Sequence, residues 1–336
     1  MIKVIDVAYP ILQVPSLNKQ EAFLKDFGLV TTKKTNTELY MQGLGPHKFI
    51  HKTIKGKKKF IGSAFYAKSI NDLNKLSKSE DFSEVKKLKS PGGGFVVEAL
   101  DPDGLKVEVI FGMKTKKFNK KDLIAEPFNS GGIGKETSLR KNQPRRVGKP
   151  RSSKIKKLGH LAINVSDPSV SFDWYNKHLG LIPSDKVELG KGSGIYVALF
   201  CRCDLGKKLT DHHSFLLQSN LSSDLKSGLN HCAYEVVEVD DIFLGHEVLK
   251  DKNYKHEWGI GRHYAGSQIF DYWRSPYGHV HEHQTDGDLF DNQVKPGVID
   301  ISEAAGMQWG PDITKTFGNS EGCLLYTSPS PRDHQP

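Results

Sequence analysis

The chain has 336 residues, 37% of them hydrophobic, which is enough for two domains that each bury a core, and no apolar run approaches the length of a membrane span. The net charge of +9 comes from 48 Lys and Arg against 39 Asp and Glu, yet residues 114–157 alone hold 15 of the basic residues and three acids, so the rest of the sequence is slightly acidic. That distribution speaks against a nucleic-acid-binding surface on the folded domains. Cys201 and Cys203 stand too close for an ordinary disulfide, and Met1–Leu12 is broken by Asp6 and Pro10 as no secretory signal is; both features suit a cytoplasmic protein.

In chain order, Val4–Val14 reads as an apolar strand, Ser16 to Phe27 as a helix ended by Gly28, and Phe60 to Ala67 as the start of a second unit. That unit continues through a helix at Ile70–Leu76, a strand at Gly94–Ala99, the turn Asp101-Pro-Asp-Gly104 and a strand at Leu105–Phe111. The pattern is strand, helix, strands, given twice, and defines a domain over residues 1–113. Residues 114–157 follow with Gly131-Gly132, three prolines and dense charge, but no aromatics other than Phe118 and Phe128. They read as a basic linker that wraps the surface rather than an arm that grips nucleic acid.

From residue 158 the plan repeats. Leu158–Val165 is a strand, Asp167 and Pro168 supply an N-cap and a first-turn proline, and Gly180 ends the helix that carries Val170, Trp174, Tyr175 and Leu179. Strands are expected at Gly194–Phe200 and His213–Gln218. Gly228–Val236 opens another unit, with Asp240 as the cap of a helix through Ile242, Phe243, His246 and Leu249. Ser275-Pro-Tyr-Gly278 has the composition of a reverse turn, so Ile269–Arg274 and His279–Gln284 read as a hairpin. Alternation puts Val280 and Glu282 on one face of its second strand and His279, His281 and His283 on the other, where they are expected at the surface or a pocket rim.

The two halves align with each other. Val7–Val14 matches Leu158–Val165, which sets Tyr9 where His160 stands. Asp101–Glu108 matches Ser275–Glu282, each glutamate coming six residues after the turn proline. The first half has Ala64 or Phe65 near the position of His231. Only the second half therefore offers two histidines and a carboxylate, His160, His231 and Glu282, at repeat-equivalent places. Two imidazoles and one carboxylate on one side of a metal form the facial set of non-haem Fe(II) enzymes, which leaves neighbouring positions open.

Gly159-His160, His212-His213, Asn230-His231, Gly261-Arg-His263 and Tyr272…Pro276-x-Gly278-x-x-x-Glu282 resemble the type I extradiol ring-cleavage dioxygenases of the vicinal oxygen chelate superfamily. The run Phe270-Asp-Tyr-Trp273 with Glu282–Leu289 is most similar to the branch containing trihydroxytoluene oxygenase and catechol 2,3-dioxygenases. The resemblance implies an α+β fold of two tandem domains, each of paired βαβββ modules forming an open barrel-like sheet around a cavity. Residues 1–113 would then be a domain without metal and residues 158–310 the catalytic one. It further implies Fe(II), or Mn(II) by the same ligand set, held by His160, His231 and Glu282. O2 would be co-substrate, a small aromatic diol the substrate, and a homo-oligomer the assembly.

By the same resemblance His213 assists deprotonation and steadies bound oxygen, His263 hydrogen-bonds a substrate oxygen, and Tyr272 contacts that region. The implied reaction inserts both atoms of O2 and opens the ring next to the diol. Trp258, Phe270 and Trp273 are candidates to line the pocket, and equally to be plain core residues. The superfamily also hosts metal-dependent isomerases, epimerases, thiol transferases and metal-free aromatic-binding proteins. The trio His213, His263 and Tyr272 favours oxygen chemistry over these. Asp271 and Ser275 depart from the family pattern, which has an apolar residue before the tyrosine and an acidic, amide or small residue before the turn proline. Residues 311–336 read as a tail, of which 323–336 resembles translated adapter sequence.

Overall fold

The computed structural model describes residues 1–129, 140, 142, 144–220, 226–304 and 306–318; Gly131-Gly132 and the adapter-like end lie outside them. The first half runs β1 (Asp6–Val14), α1 (Leu17–Phe27), β2 (Val30–Lys34), β3 (Glu38–Gln42), β4 (His51–Lys55), β5 (Lys59–Tyr66), α2 (Ile70–Leu76), β6 (Lys86–Lys87), β7 (Phe95–Leu100) and β8 (Lys106–Phe111). The second runs β9 (Ile155–Val165), α3 (Pro168–Leu179), β10 (Leu181–Glu188), β11 (Tyr196–Cys203), β12 (Thr210–Asp211), β13 (Phe215–Ser219), β14 (Gly228–Val236), α4 (Val239–Asp251), β15 (Lys255–His263), β16 (Ile269–Arg274) and β17 (Val280–Thr285). β18 (Leu289–Phe290), β19 (Gly297–Asp300), α5 (Ile301–Ala304) and β20 (Met307–Trp309) complete it.

Both halves use one topology. The first sheet has the order β2-β3-β4-β1-β5-β8-β7-β6, and the second β10-β11-β13-β9-β14-β17-β16-β15, with β19 and β20 added at its two edges. In each, the opening strands of two βαβββ modules pair antiparallel at the centre, and each also runs parallel to the last strand of its own module. The fold is thus α+β and built from four βαβββ modules. No described helix is long and apolar enough to cross a membrane.

Local chemistry sets the helix ends. The Ser16 hydroxyl accepts from the Lys19 amide, and Gly28 closes α1 in the left-handed region at φ 119°. Asp167 Oδ1 accepts from the Ser169 and Val170 amides at 2.7 and 3.1 Å ahead of Pro168. Asp240 does not cap α4. Glu238 occupies that position without a side-chain bond to the helix amides, and the Asp240 carboxylate turns instead to Arg145 Nε at 2.8 Å. The linker also ends sooner than expected, since β9 begins at Ile155, where its carbonyl accepts from the Leu44 amide at 2.7 Å.

The three alternate histidines of β17 are neither on the surface nor at a rim. His279, His281 and His283 are 1%, 0% and 0% exposed, because the first half packs over their face of the sheet. The His283 ring stacks on Phe27 at 3.7 Å between centroids and its Nε2 donates to the Phe27 carbonyl at 2.7 Å. His281 meets Phe23 edge-on at 5.0 Å. Burial depresses all three, His279 to about 3 and the other two to about 4, so they pack as neutral rings. Cys201 and Cys203 are core residues with burial-raised thiols, and Cys232 is a third buried free thiol.

The register corrects one alignment between the halves. Tyr9 faces Ala64 across β1 and β5 and Ala64 faces Glu108; His160 faces Ala233 and Ala233 faces Glu282. Ala64 is therefore the counterpart of Ala233, and Gly62, two residues earlier, is the counterpart of His231. A Cβ at Gly62 would stand 1.8 Å from the Lys106 carbonyl oxygen, so no side chain fits there. Gly62→Ala should cost about 1–3 kcal/mol through this backbone overlap, read as a lowered midpoint in urea unfolding; an unchanged midpoint contradicts the register.

Candidate metal centre

Six neighbouring strands of the second sheet deliver the site. His160 stands on β9, His231 on β14, Glu282 on β17, Tyr272 on β16 and His263 at the end of β15, while His213 precedes β13 on the other side of β9. Period-two alternation keeps them on one face, and the pairing Tyr272↔Glu282 brings the tyrosine beside the carboxylate. His160 Nε2 and His231 Nε2 are 3.0 Å apart, and Glu282 Oε2 lies 3.2 and 3.4 Å from them. Ligands about 2.0–2.2 Å from one ion stand roughly this far apart.

The balance of charge and hydrogen bonds points the same way. Glu282 is fully buried, yet neither of its oxygens has a hydrogen-bond partner, and His160 Nδ1 has none either. Burial opposes ionisation of this carboxyl, but the imidazoles of His160, His263 and His231 outweigh it and hold the group below the usual carboxylate range. Burial also lowers His231 to about 3 against the pull of Glu282, which leaves a neutral imidazole with a free lone pair. Asn230 Oδ1, 2.8 Å from His231 Nδ1, accepts its proton and thereby turns the Nε2 lone pair toward Glu282 and His160. The Asn230 amide is itself oriented by donating to Asn164 Oδ1 at 2.9 Å and Gln218 Oε1 at 3.2 Å. A cation among these three groups satisfies the orphaned oxygens and matches the donor set.

The equivalent place in the first half needs no ion. Glu108 is also buried, but Tyr9 Oη donates to it at 2.7 Å and Lys106 Nζ lies 2.8 Å away. Tyr9, Tyr40 and Phe49 fill the space where a cavity would form.

Around the second-half trio, the His213 ring lies 4.1 Å from that of His160. His213 is depressed well below an ordinary histidine, first by burial and then by the His160, His212, His231 and His263 rings. His263 Nε2 is 2.8 Å from Tyr272 Oη. Burial, reinforced by Glu282, raises the Tyr272 phenol well above 10, so it stays protonated. All six predicted residues are thus brought together. Five of them, all but the fully buried Glu282, line a cavity of about 750 Å³, mouth included, whose other walls are mainly apolar, among them Val187, Phe200, Leu216 and Trp258.

For two of the three aromatic candidates the core reading holds. Phe270 stacks behind His263 at 4.0 Å, and Trp273, one residue from Tyr272 in an extended strand, faces the opposite side of the sheet. Conversely, the segment read as tail contributes Ile313 and Phe317 to the cavity wall. It is held there by the Trp258 indole, which donates to the Pro311 carbonyl at 2.8 Å, and by the buried Arg274–Glu257 pair. Arg274 Nη2 donates to the Thr316 carbonyl at 2.8 Å, and Glu257 accepts from the Thr316 hydroxyl at 2.7 Å. The sequence reading gave no role to His212 and did not single out Asp185, which stand in line behind His213. His212 Nδ1 is 3.0 Å from His213 Nδ1, and His212 Nε2 is 2.8 Å from Asp185 Oδ2. The adjacent histidine pair was the available signal for the first; nothing local marks Asp185.

Comparison with known proteins fits this geometry. Residues 157–282, which carry all six site residues, match the profile of the Glyoxalase/Bleomycin resistance protein/Dioxygenase superfamily. The chain is 27% identical over 310 residues to metapyrocatechase 2 of Cupriavidus necator, covering 91% of this chain and 89% of that one. Its fold is similar to the Mn(II)-bound glyoxalase from Novosphingobium aromaticivorans, with TM-score 0.74, 21% identity and 95% of each chain covered. It is equally similar to the anaerobic substrate complex of homoprotocatechuate 2,3-dioxygenase from Brevibacterium fuscum with 3,4-dihydroxyphenylacetate, at TM-score 0.74, 16% identity and 97% coverage of each chain. The site-bearing sheet and its module order thus accompany a sequence match to the Glyoxalase/Bleomycin resistance protein/Dioxygenase superfamily over residues 157–282.

Proposed function

We propose that the protein is a non-haem Fe(II)-dependent extradiol dioxygenase, which opens a catechol-type ring next to its diol and incorporates both atoms of O2. The observation that carries this reading is the orphaned buried carboxylate Glu282 with two imidazoles at ligand spacing and three proton-handling groups around it. The likeness to metapyrocatechase 2 supports it over most of the chain. His160 Nε2, His231 Nε2 and Glu282 would hold the ion. Bound there, Fe(II) supplies the electron transfer that lets O2 react with an electron-rich ring.

The chain's own residues then divide the remaining work. If Asp185 accepts the His212 Nε2 proton, His212 Nδ1 carries a lone pair and accepts the proton on His213 Nδ1. That fixes His213 as the tautomer whose Nε2 lone pair is free to take a hydroxyl proton from the diol. Tyr272, a neutral phenol, hydrogen-bonds His263 Nε2 and steadies that ring at the cavity edge. The apolar wall and the folded-back segment with Ile313 and Phe317 exclude water from the reacting ring and suit an aromatic substrate with modest substituents.

The fold is shared with a Mn(II)-bound glyoxalase, so fold alone does not choose between isomerisation and ring opening. His213, His263 and Tyr272 favour the latter, because isomerising a small carbonyl adduct needs one base at the metal rather than a set of donors and acceptors around a diol.

Anaerobic reconstitution with Fe(II), followed by addition of a panel of catechols and trihydroxybenzenes in air, should give stoichiometric oxygen uptake and a yellow ring-opened product. No uptake with any of them would falsify the reading, and turnover of a methylglyoxal–thiol adduct in its place would establish the alternative. Glu282→Gln should lose tightly bound iron on gel filtration, whereas His213→Ala should keep iron and lose about 10²–10⁴ in turnover. Asn230→Ala, which frees the His231 ring to rotate, should weaken iron binding by about 10–100-fold with the fold intact by circular dichroism.

A further inference from the structure

Asp271, the residue that departs from the family pattern, is fully buried on the face of β16 opposite the cavity. A carboxylate there must be compensated. It is met by two histidines from different elements. His246 of α4 places Nδ1 3.1 Å from Asp271 Oδ2, and His256 of β15 places Nε2 2.7 Å from Oδ1. The Trp273 indole donates to Oδ2 at 2.6 Å and fixes the carboxylate rotamer. Across the strand stands Gly259, where a Cβ would come within 3.1 Å of Asp271 Oδ1, so the absence of a side chain leaves room for the carboxylate.

We propose that His246 Nδ1, His256 Nε2 and Asp271 form a second, solvent-accessible site for a divalent transition-metal ion such as Zn(II) or Ni(II), separate from the cavity site. The donor atoms lie within 4.8 Å of one another, and the two N–H protons that bind the carboxylate occupy the place an ion would take. Ligand chemistry fits a borderline cation, which favours two imidazoles and one carboxylate. Access fits as well. The His246 and His256 side chains are 20% and 33% exposed and border a groove with Tyr254 and Lys250, from which water completes the coordination. The His246 and His256 rings stand at 79° to each other with centroids 4.9 Å apart, so two edges converge on one carboxylate rather than stack. Lys250 opposes a cation here and Glu247 favours one; the fixed negative charge of Asp271 decides the sign. Its carboxyl is buried, which raises it, but hydrogen bonds from His246 and His256 hold it below the ordinary value and keep it ionised.

The test counts ions on the full chain by equilibrium dialysis against Ni(II) followed by elemental analysis. Wild-type protein should hold two per chain, and Glu282→Gln should hold one, at the outer site. His256→Asn and His246→Gln should each retain the cavity ion and lose the other, with affinity for the second ion falling at least about tenfold. Both histidines are partly exposed, so these variants keep the fold, which circular dichroism and the retained cavity ion check. In the Glu282→Gln background, Ni(II) should quench Trp273 fluorescence, since its ring lies 4.6 Å from His256, and His256→Asn should abolish the quench. One ion per wild-type chain that His256→Asn retains, or two in His256→Asn, overturns the site. Neither outcome touches the proposed cavity chemistry, which involves none of these residues.

Discussion

The site rests on a buried carboxylate that its own protein leaves without a hydrogen bond. Leaving an anion in a dry interior is costly unless a counter-charge arrives, and burial keeps the His231 ring beside Glu282 neutral. The first half shows how such a position is made self-sufficient. There a tyrosine replaces the first histidine, a glycine the second, and Lys106 supplies the positive charge. The same strands and the same turn therefore yield a closed, ion-paired core in one half and a cation-demanding cavity in the other.

The remaining architecture serves that carboxylate. β9, β14, β17, β16 and β15 lie side by side, so one residue from each joins the same cluster with no loop needed to bridge them. The neighbours outside the trio set tautomers and rotamers: Asn230 for His231, His212 with Asp185 for His213, and Tyr272 for His263. The first half covers the reverse face of β14 and β17. By burying His281 and His283 against Phe23 and Phe27 it holds the two strands that carry His231 and Glu282 from behind.

Much of this was legible in the sequence, because the signals were local. Ser16, Gly28, Asp167, Pro168 and Gly180 announce helix ends through their own backbone chemistry, and Ser275–Gly278 announces the hairpin that places Glu282. Alternation sorted Glu282 from His281 correctly. What alternation cannot supply is the partner on each face, which is why His279, His281 and His283 read as exposed residues although a second domain covers them. The counterpart of His231 was off by two because strand register depends on bulges in β1 and β14 that leave no mark on composition. The places of Trp273 and of the segment with Ile313 and Phe317 were not legible for a related reason. Their positions depend on the buried Glu257–Arg274 pair and on Asp271, contacts between residues distant in sequence.

The central claim is that one ion sits among His160, His231 and Glu282. Anomalous diffraction at the iron edge from crystals of the anaerobically reconstituted protein tests it directly. The account predicts a peak about 2.0–2.2 Å from His160 Nε2, His231 Nε2 and a Glu282 oxygen. Fully incorporated iron that gives its peak elsewhere, with Glu282 facing an empty cavity, would contradict it.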